Sequence, residues 1–213
     1  MALFGQNYTY DSNGNKIVGD DGVYVFTDDR EYLGSAIADA VGGFKTSFSY
    51  KNFNLSALID FQVGGIIHST TLQWSKYSGM HPETVSFNGE TDTRANGMVL
   101  PGVLADGTEN TQRIDPQGYY QSKWRVAAPN VYDADYVKFR ELRLSYSLPE
   151  SITNQLSVED LSISLFGRNL GILSSDLPYL DPQIITGAGN RQGLENAQVP
   201  STQSFGLNVI AKF

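Results

Sequence analysis

Residues 44–65 read FKTSFSYKNFNLSALIDFQVGG, and their alternation decides the fold class. Phe44, Thr46, Phe48 and Tyr50 alternate with Lys45, Ser47, Ser49 and Lys51. After a short turn at Asn52, Phe53, Leu55, Ala57, Ile59, Phe61 and Val63 alternate with Asn54, Ser56, Leu58, Asp60 and Gln62. Successive side chains of a strand leave opposite faces, so a period of two predicts two strands, each with one apolar and one wet face. The second run has the length of a tilted membrane-crossing strand, and Gly64 and Gly65 end it.

Three more runs share this period. In 136–148, Leu142, Leu144, Tyr146 and Leu148 oppose Arg143, Ser145 and Ser147, and Pro149 stops the strand. Val137 and Phe139 lie out of phase with Leu142. Either a bulge near Arg140–Glu141 restores the register, or 136–140 stands clear of the apolar layer. In 161–169, Leu161, Ile163 and Leu165 oppose Ser162, Ser164 and Arg168. The chain ends on Phe205, Leu207, Val209, Ala211 and Phe213 against Ser204, Gly206, Asn208 and Lys212, with Ile210 the one break on the polar face.

The connections are lopsided. Those at 52 and about 149–160 are short, whereas 1–43, 64–135 and 170–202 are long. Compact soluble domains rarely carry loops above about 12–15 residues, while outer-membrane barrels have short periplasmic turns and long extracellular loops. With the short turns on one side, Tyr50, Phe53, Tyr146 and Phe213 gather at that end and Phe44, Phe61 and Phe205 at the other, as two aromatic girdles would. Lys45, Lys51, Asp60, Arg143, Arg168 and Lys212 keep to the other face. An Arg or Lys facing lipid costs roughly 2–4 kcal/mol at the midplane.

The predicted fold is therefore all-β, with about five antiparallel strands of a transmembrane outer-membrane β-barrel. The expected organisation is an extracellular loop region at 1–43, a hairpin at 44–63, and a long extracellular loop with a short helix at 64–135. Two strands joined by a periplasmic turn follow at 136–169, then an extracellular loop at 170–202 and a terminal strand at 203–213.

Composition agrees. Gly 21, Tyr 12 and Phe 11 accompany only 18% charged residues, a mixture against disorder. A net charge of -8 argues against nucleic acid as a partner. Cysteine is absent, which removes disulfide scaffolds and thiolate zinc sites. No apolar run is long enough for a membrane helix. The opening MALFGQNYTYDSNGNK lacks a signal-peptide pattern, so an outer-membrane location requires more chain before Met1, which then reads as an internal position.

The motifs carry a resemblance. DADYVKFRELRLSYSLP (133–149) resembles a signature of SusC/RagA-type TonB-linked outer-membrane transporters, as does the 44–65 stretch. LFGRNLGIL with YLDPQ (165–173, 179–183) and PSTQSFGLNVIAKF (200–213) resemble the family's penultimate and terminal strands. LPGVLADGTENT and GYYQSKW fit in order. Gln183 and Gln203 depart from the family pattern, which often has an acidic and a basic residue there. The resemblance implies the C-terminal fragment of a plugged barrel of about twenty-two strands, in the outer membrane of a Gram-negative, Bacteroidetes-like cell. It further implies nutrient uptake of glycan or peptide, a SusD-like lipoprotein lid, and energy from the TonB system through an N-terminal region not in this sequence. No cofactor is implied.

Candidate sites follow. Phe205, Leu207, Val209, Ala211 and Phe213 resemble the signal read by the barrel assembly machinery. Trp74, Tyr77, Tyr119, Tyr120 and Trp124 are candidate substrate-binding residues, because flat rings stack on sugars or peptides; packing of the loop into an ordered cap is the alternative. Asp115–Pro116 predicts a capped helix through Trp124, with Tyr120 and Trp124 on one face. Residues 11–22 fail the calcium-loop pattern at Lys16 and Gly22, so Asn13–Gly14 reads as a hairpin turn. His68 and His81 form no metal or catalytic motif, and neither a GxSxG elbow nor a phosphate loop is present. The chain is not expected to be an enzyme or to bind metal. A soluble carbohydrate-binding β-sandwich and a passive porin remain rival readings.

Overall fold

The computed structural model describes residues 1–187 and 189–213. It divides into two compact units: residues 1–37, 66–132 and 185–198 form the first, and residues 38–65, 133–184 and 199–213 the second.

The second unit is a five-stranded antiparallel sheet. Its strands are β1 (Ala40–Tyr50), β2 (Phe53–Val63), β3 (Tyr136–Ser147), β4 (Asp160–Ser175) and β5 (Ser204–Lys212), in the order β5-β4-β3-β2-β1. β2 has the expected bounds. β1 begins at Ala40 rather than 44, and β4 runs to Ser175 rather than 169, taking residues assigned to loops at 1–43 and 170–202. β5 stops at Lys212, leaving Phe213 outside the strand.

Register places the residue types in rows. Phe48, Leu55, Leu144, Leu165 and Leu207 form one row, and Tyr50, Phe53, Tyr146, Ile163 and Val209 the next. The Phe53 and Tyr146 rings lie 4.7 Å apart. Phe205 falls in the row of Thr46, Ala57, Leu142 and Gly167, one row short of Phe44. On the opposite face, Ser49, Asn54, Ser145, Ser164 and Asn208 share a row.

Both ladders of β3 shift between Phe139 and Glu141, so Arg140 is the extra residue of a bulge. The shift returns Val137 and Phe139 to the face of Leu142 and Leu144. This settles the two readings of the parity switch in favour of the bulge. Lys138 consequently falls on the polar face, where it is 1% exposed and bonds both carboxylate oxygens of Asp181 at 2.9 Å and the Gln183 amide oxygen at 3.1 Å. Arg140 Nε reaches Asp60 at 2.9 Å.

The first unit shows that the long connections are not structureless. Antiparallel pairs join Ala2–Gly5 with Glu31–Ser35 and Met98–Val99 with Arg113–Ile114. Leu194 and Glu195 run parallel to His68 and Ser69. Val18, Tyr24, Met98, Leu100, Tyr119 and Tyr120 form a buried core. Helix α1 (Thr70–Tyr77) is capped by Ser69, and helix α2 (Pro116–Ser122) by Asp115, whose carboxylate accepts from the Gln117 and Gly118 amides. Asn13–Gly14 lies in a turn between the bridged Tyr10 and Lys16, with Gly14 at φ +84°. That left-handed conformation is open to glycine at no steric cost.

Candidate functional site

Each unit carries one candidate surface. In the second unit it is the sheet, whose polarity is the reverse of a soluble protein's. Leu165 is 57% exposed and its neighbour Ser164 is 5% exposed. Phe44, Phe48, Leu55, Leu144, Phe205 and Leu207 are exposed with Leu165. The polar face satisfies itself: Ser164 donates to Ser145 at 2.9 Å, and Glu141 holds Arg168 at 2.7 Å and Arg143 at 3.3 Å. An apolar band of this extent marks a membrane or partner surface.

Paired glycines and aromatics set the β4–β5 contact. Gly206 faces Phe166, and Gly167 faces Phe205. A Cβ on Gly206 would meet Phe166 Cζ at 2.5 Å. The Phe166 ring, an apolar group on the polar face, lies under the guanidinium groups of Arg168 and Arg143 at 4.8 and 5.2 Å. Of the assembly-signal residues, Phe205, Leu207 and Val209 share the exposed face, Ala211 pairs with Leu161, and Phe213 lies beyond the last ladder pair, 90% exposed.

In the first unit the five candidate aromatics separate into two groups. Trp74, Tyr77 and Trp124 pack together, Tyr77 edge-on to both tryptophans, with Trp74 and Trp124 centroids 4.9 Å apart. Helix α2 ends at Ser122, so Trp124 is not on its face as the sequence predicted; the Lys123 amide closes the helix on the Tyr119 carbonyl, and the Gln73 side-chain amide holds the Trp124 carbonyl. Tyr119 and Tyr120 are core residues, packed 5.1 Å apart.

Tyr119, Tyr120 and Trp124 also line a cavity of about 310 Å³ with Tyr8, Tyr24 and Lys16, among others. Lys76, Lys123, Glu83, Tyr132, Gln73 and Asn130 complete its polar lining. Lys16 Nζ lies 3.8 Å above the Tyr8 ring and 5.2 Å above that of Tyr24. Burial, then the Lys76 charge, pull the Lys16 ammonium below the usual lysine range. Burial also acts on Lys76, but its ion pair with Glu83 at 2.9 Å and the Tyr132 hydroxyl outweigh it and hold that lysine above its usual value. Burial raises the Tyr8, Tyr119 and Tyr120 hydroxyls and pushes Tyr24 up to about 12, so all four are neutral phenols at physiological pH. Tyr24 donates to the Pro101 carbonyl at 2.9 Å, while the buried Tyr120 hydroxyl has no hydrogen-bond partner.

Sequence reasoning missed Tyr8, Lys16, Tyr24, Lys76 and Tyr132, which come from three separated stretches. Their only local signal was a high tyrosine content. Among the described residues, no group of three or more His, Asp or Glu is placed to hold a metal ion. No helix there is long and apolar enough to cross a membrane, which says nothing of a β-barrel.

No protein-family model matches the chain. It is 27% identical over 195 residues to TonB-dependent receptor P3 of Formosa agariphila, covering 89% of this chain and 18% of that protein. It is 25% identical over 207 residues to TonB-dependent receptor P26 of the same organism, covering 94% of this chain and 19% of the relative. The chain thus spans about a fifth of the curated relatives it matches. Among solved structures, it aligns with the RagAB peptide importer in the open-open state at a TM-score of 0.64 and 18% identity, covering 100% of this chain and 22% of that one. The closed-closed state gives 0.63 and 17%, covering 98% and 22%. By sequence over most of its length, and by fold, the chain is similar to a segment of the TonB-dependent receptors of SusC/RagA type.

Proposed function

We propose that this chain is the C-terminal part of a TonB-dependent outer-membrane importer that takes up glycan or peptide beneath a SusD-like lipoprotein. The five strands supply barrel wall, and the first unit supplies extracellular loops. The observation that carries this reading is the sheet's polarity: rows of exposed leucine and phenylalanine outside, serine and ion pairs inside. In water such a face is a liability; in hydrocarbon it is the ground state. A sandwich would cover that face with a second sheet, and the exposure of Phe48, Leu165 and Leu207 argues against it. Five strands leave two open edges, and each unpaired backbone group in lipid costs on the order of several kcal/mol, so the wall closes only with further strands.

The test replaces residues 66–132 by a short Gly/Ser turn in the complete polypeptide. β2 and β3 still pair, so a heat-modifiable barrel is expected at normal levels, with uptake sharply reduced. Undiminished uptake would remove the loops from transport. Collapsing the proton-motive force separates importer from porin: uptake that survives an uncoupler belongs to a passive pore.

A further inference from the structure

We propose that the tyrosine-lined cavity of the first unit is a binding site for a small carboxylate carried on a six-membered ring, with Lys16 as its charge partner. The site lies within that unit alone, and its reading does not depend on transport.

Three features converge. First, Lys16 sits over the rings of Tyr8 and Tyr24 and, among the described residues, faces no carboxylate within ion-pair distance. Ring faces attract an ammonium only weakly compared with an anion, so a partly buried, unneutralised charge is costly until a counter-ion arrives. Second, the neighbouring ammonium of Lys76 is already engaged by Glu83 and donates to the Pro129 carbonyl at 3.3 Å. With Lys123 on the wall, the lining has three cations against one carboxylate, an excess in a chain whose net charge is -8. Third, the Tyr120 hydroxyl is buried in the lining without a partner. An orphaned buried donor is uncommon, and here it supplies a hydrogen bond for a ligand oxygen.

The walls define the rest of the ligand. Tyr8, Tyr24, Tyr119, Tyr120 and Trp124 present flat apolar surface, which suits a ring rather than an extended chain. A volume of about 310 Å³ is at the small end of ligand pockets and admits one ring with its carboxylate. Two sources offer this chemistry: a uronic-acid sugar and an aromatic acid.

The experiment is calorimetric titration of the complete polypeptide in detergent with D-glucuronate, benzoate, D-glucose and acetate. Glucuronate or benzoate is expected to bind at least about tenfold more tightly than glucose or acetate, and the tighter of the two identifies the source. Lys16→Met is expected to weaken that ligand by about tenfold or more, and Tyr120→Phe by about three- to tenfold. If Lys16→Met loses its folded circular-dichroism signal, Tyr120→Phe decides alone. The proposal is overturned if neither ring acid binds below about 10 mM, if acetate binds as well as both, or if the folded variants bind like the parent. Each of these results leaves the import reading standing, because uptake is measured separately.

Discussion

At the residue scale, the buried charges do the most. Glu195 is 1% exposed and accepts from Ser69 Oγ, the Thr71 amide, Thr71 Oγ1 and the Ala197 amide. It ties the 185–198 segment to the start of α1. Glu195→Gln keeps the shape but turns an NH₂ toward donors, and a buried, unsatisfied polar contact costs about 1–3 kcal/mol. Faster hydrogen exchange at the Thr71 and Ala197 amides is expected; unchanged protection would mean that the backbone pairing of Leu194 and Glu195 suffices. Beside it, burial lowers the His68 pKa more than Glu195 raises it. The folded state then binds fewer protons than an unfolded histidine near 6.5. His68 therefore contributes its full stability above pH 6.5, and that contribution falls as pH drops from 6.5 toward the depressed folded value, by at most about 1.4 kcal/mol per pH unit. His81 shifts the same way, by burial and by Lys76. Denaturant melts of the parent and of His68→Gln between pH 7.5 and 5.5 check this, and the variant is expected to have the shallower slope.

At the element scale, strands were legible because a period of two survives in any context where one face is apolar. Phe53–Val63 was read to the residue because Asn52 and Gly64 bracket it. The extensions of β1 through Val41–Gly43 and of β4 through Gly171–Ser175 were not, because glycines and bulges interrupt the alternation there. Arg140 is the informative case, where a parity break in the sequence is a bulge in the structure. Deleting Arg140 removes the extra residue and leaves Lys138 on the polar face, whereas an uninterrupted alternation through Arg140 would carry Lys138 and Tyr136 onto the face of Leu142. A lysine there costs roughly 2–4 kcal/mol in lipid, and its partners Asp181 and Gln183 would be left behind. Arg140→Ala likewise keeps the register and removes the ion pair with Asp60 and the hydrogen bonds to Gln183 and Asn169. Both the deletion and the alanine variant are therefore expected to retain the heat-modifiable species; its loss in the deletion alone would show that the extra residue is needed for more than its side-chain contacts. Gly206→Val tests the β4–β5 contact: its side chain meets Phe166 at once, and overpacking costs about 1–3 kcal/mol, read as a lower urea midpoint.

At the scale of the whole molecule, the two units were unequally legible for one reason. The sheet pairs its strands in chain order and each carries its own alternation, whereas the first unit assembles Tyr8, Tyr24, Lys76 and Tyr120 from stretches that share no periodicity. A pattern reading reports such stretches as loops, although they bury a core of their own. What the molecule requires of its surroundings follows from the sheet, and a matched pair of lysines tests it. Leu165 sits between Leu144 and Leu207 in the apolar row, and Asn208 sits beside Ser164 on the other face. Were the leucine row exposed to water, Leu165→Lys would relieve exposed apolar surface and be tolerated. In a bilayer the same lysine faces hydrocarbon and costs roughly 2–4 kcal/mol near the midplane, while a lysine at 208 meets a polar interior and carries no such penalty. Folding titrations into lipid vesicles, with urea as denaturant, are expected to show Leu165→Lys destabilised by that margin over Asn208→Lys. The reverse order would mean that the leucine rows face water rather than lipid, and the barrel wall would have to be reassigned.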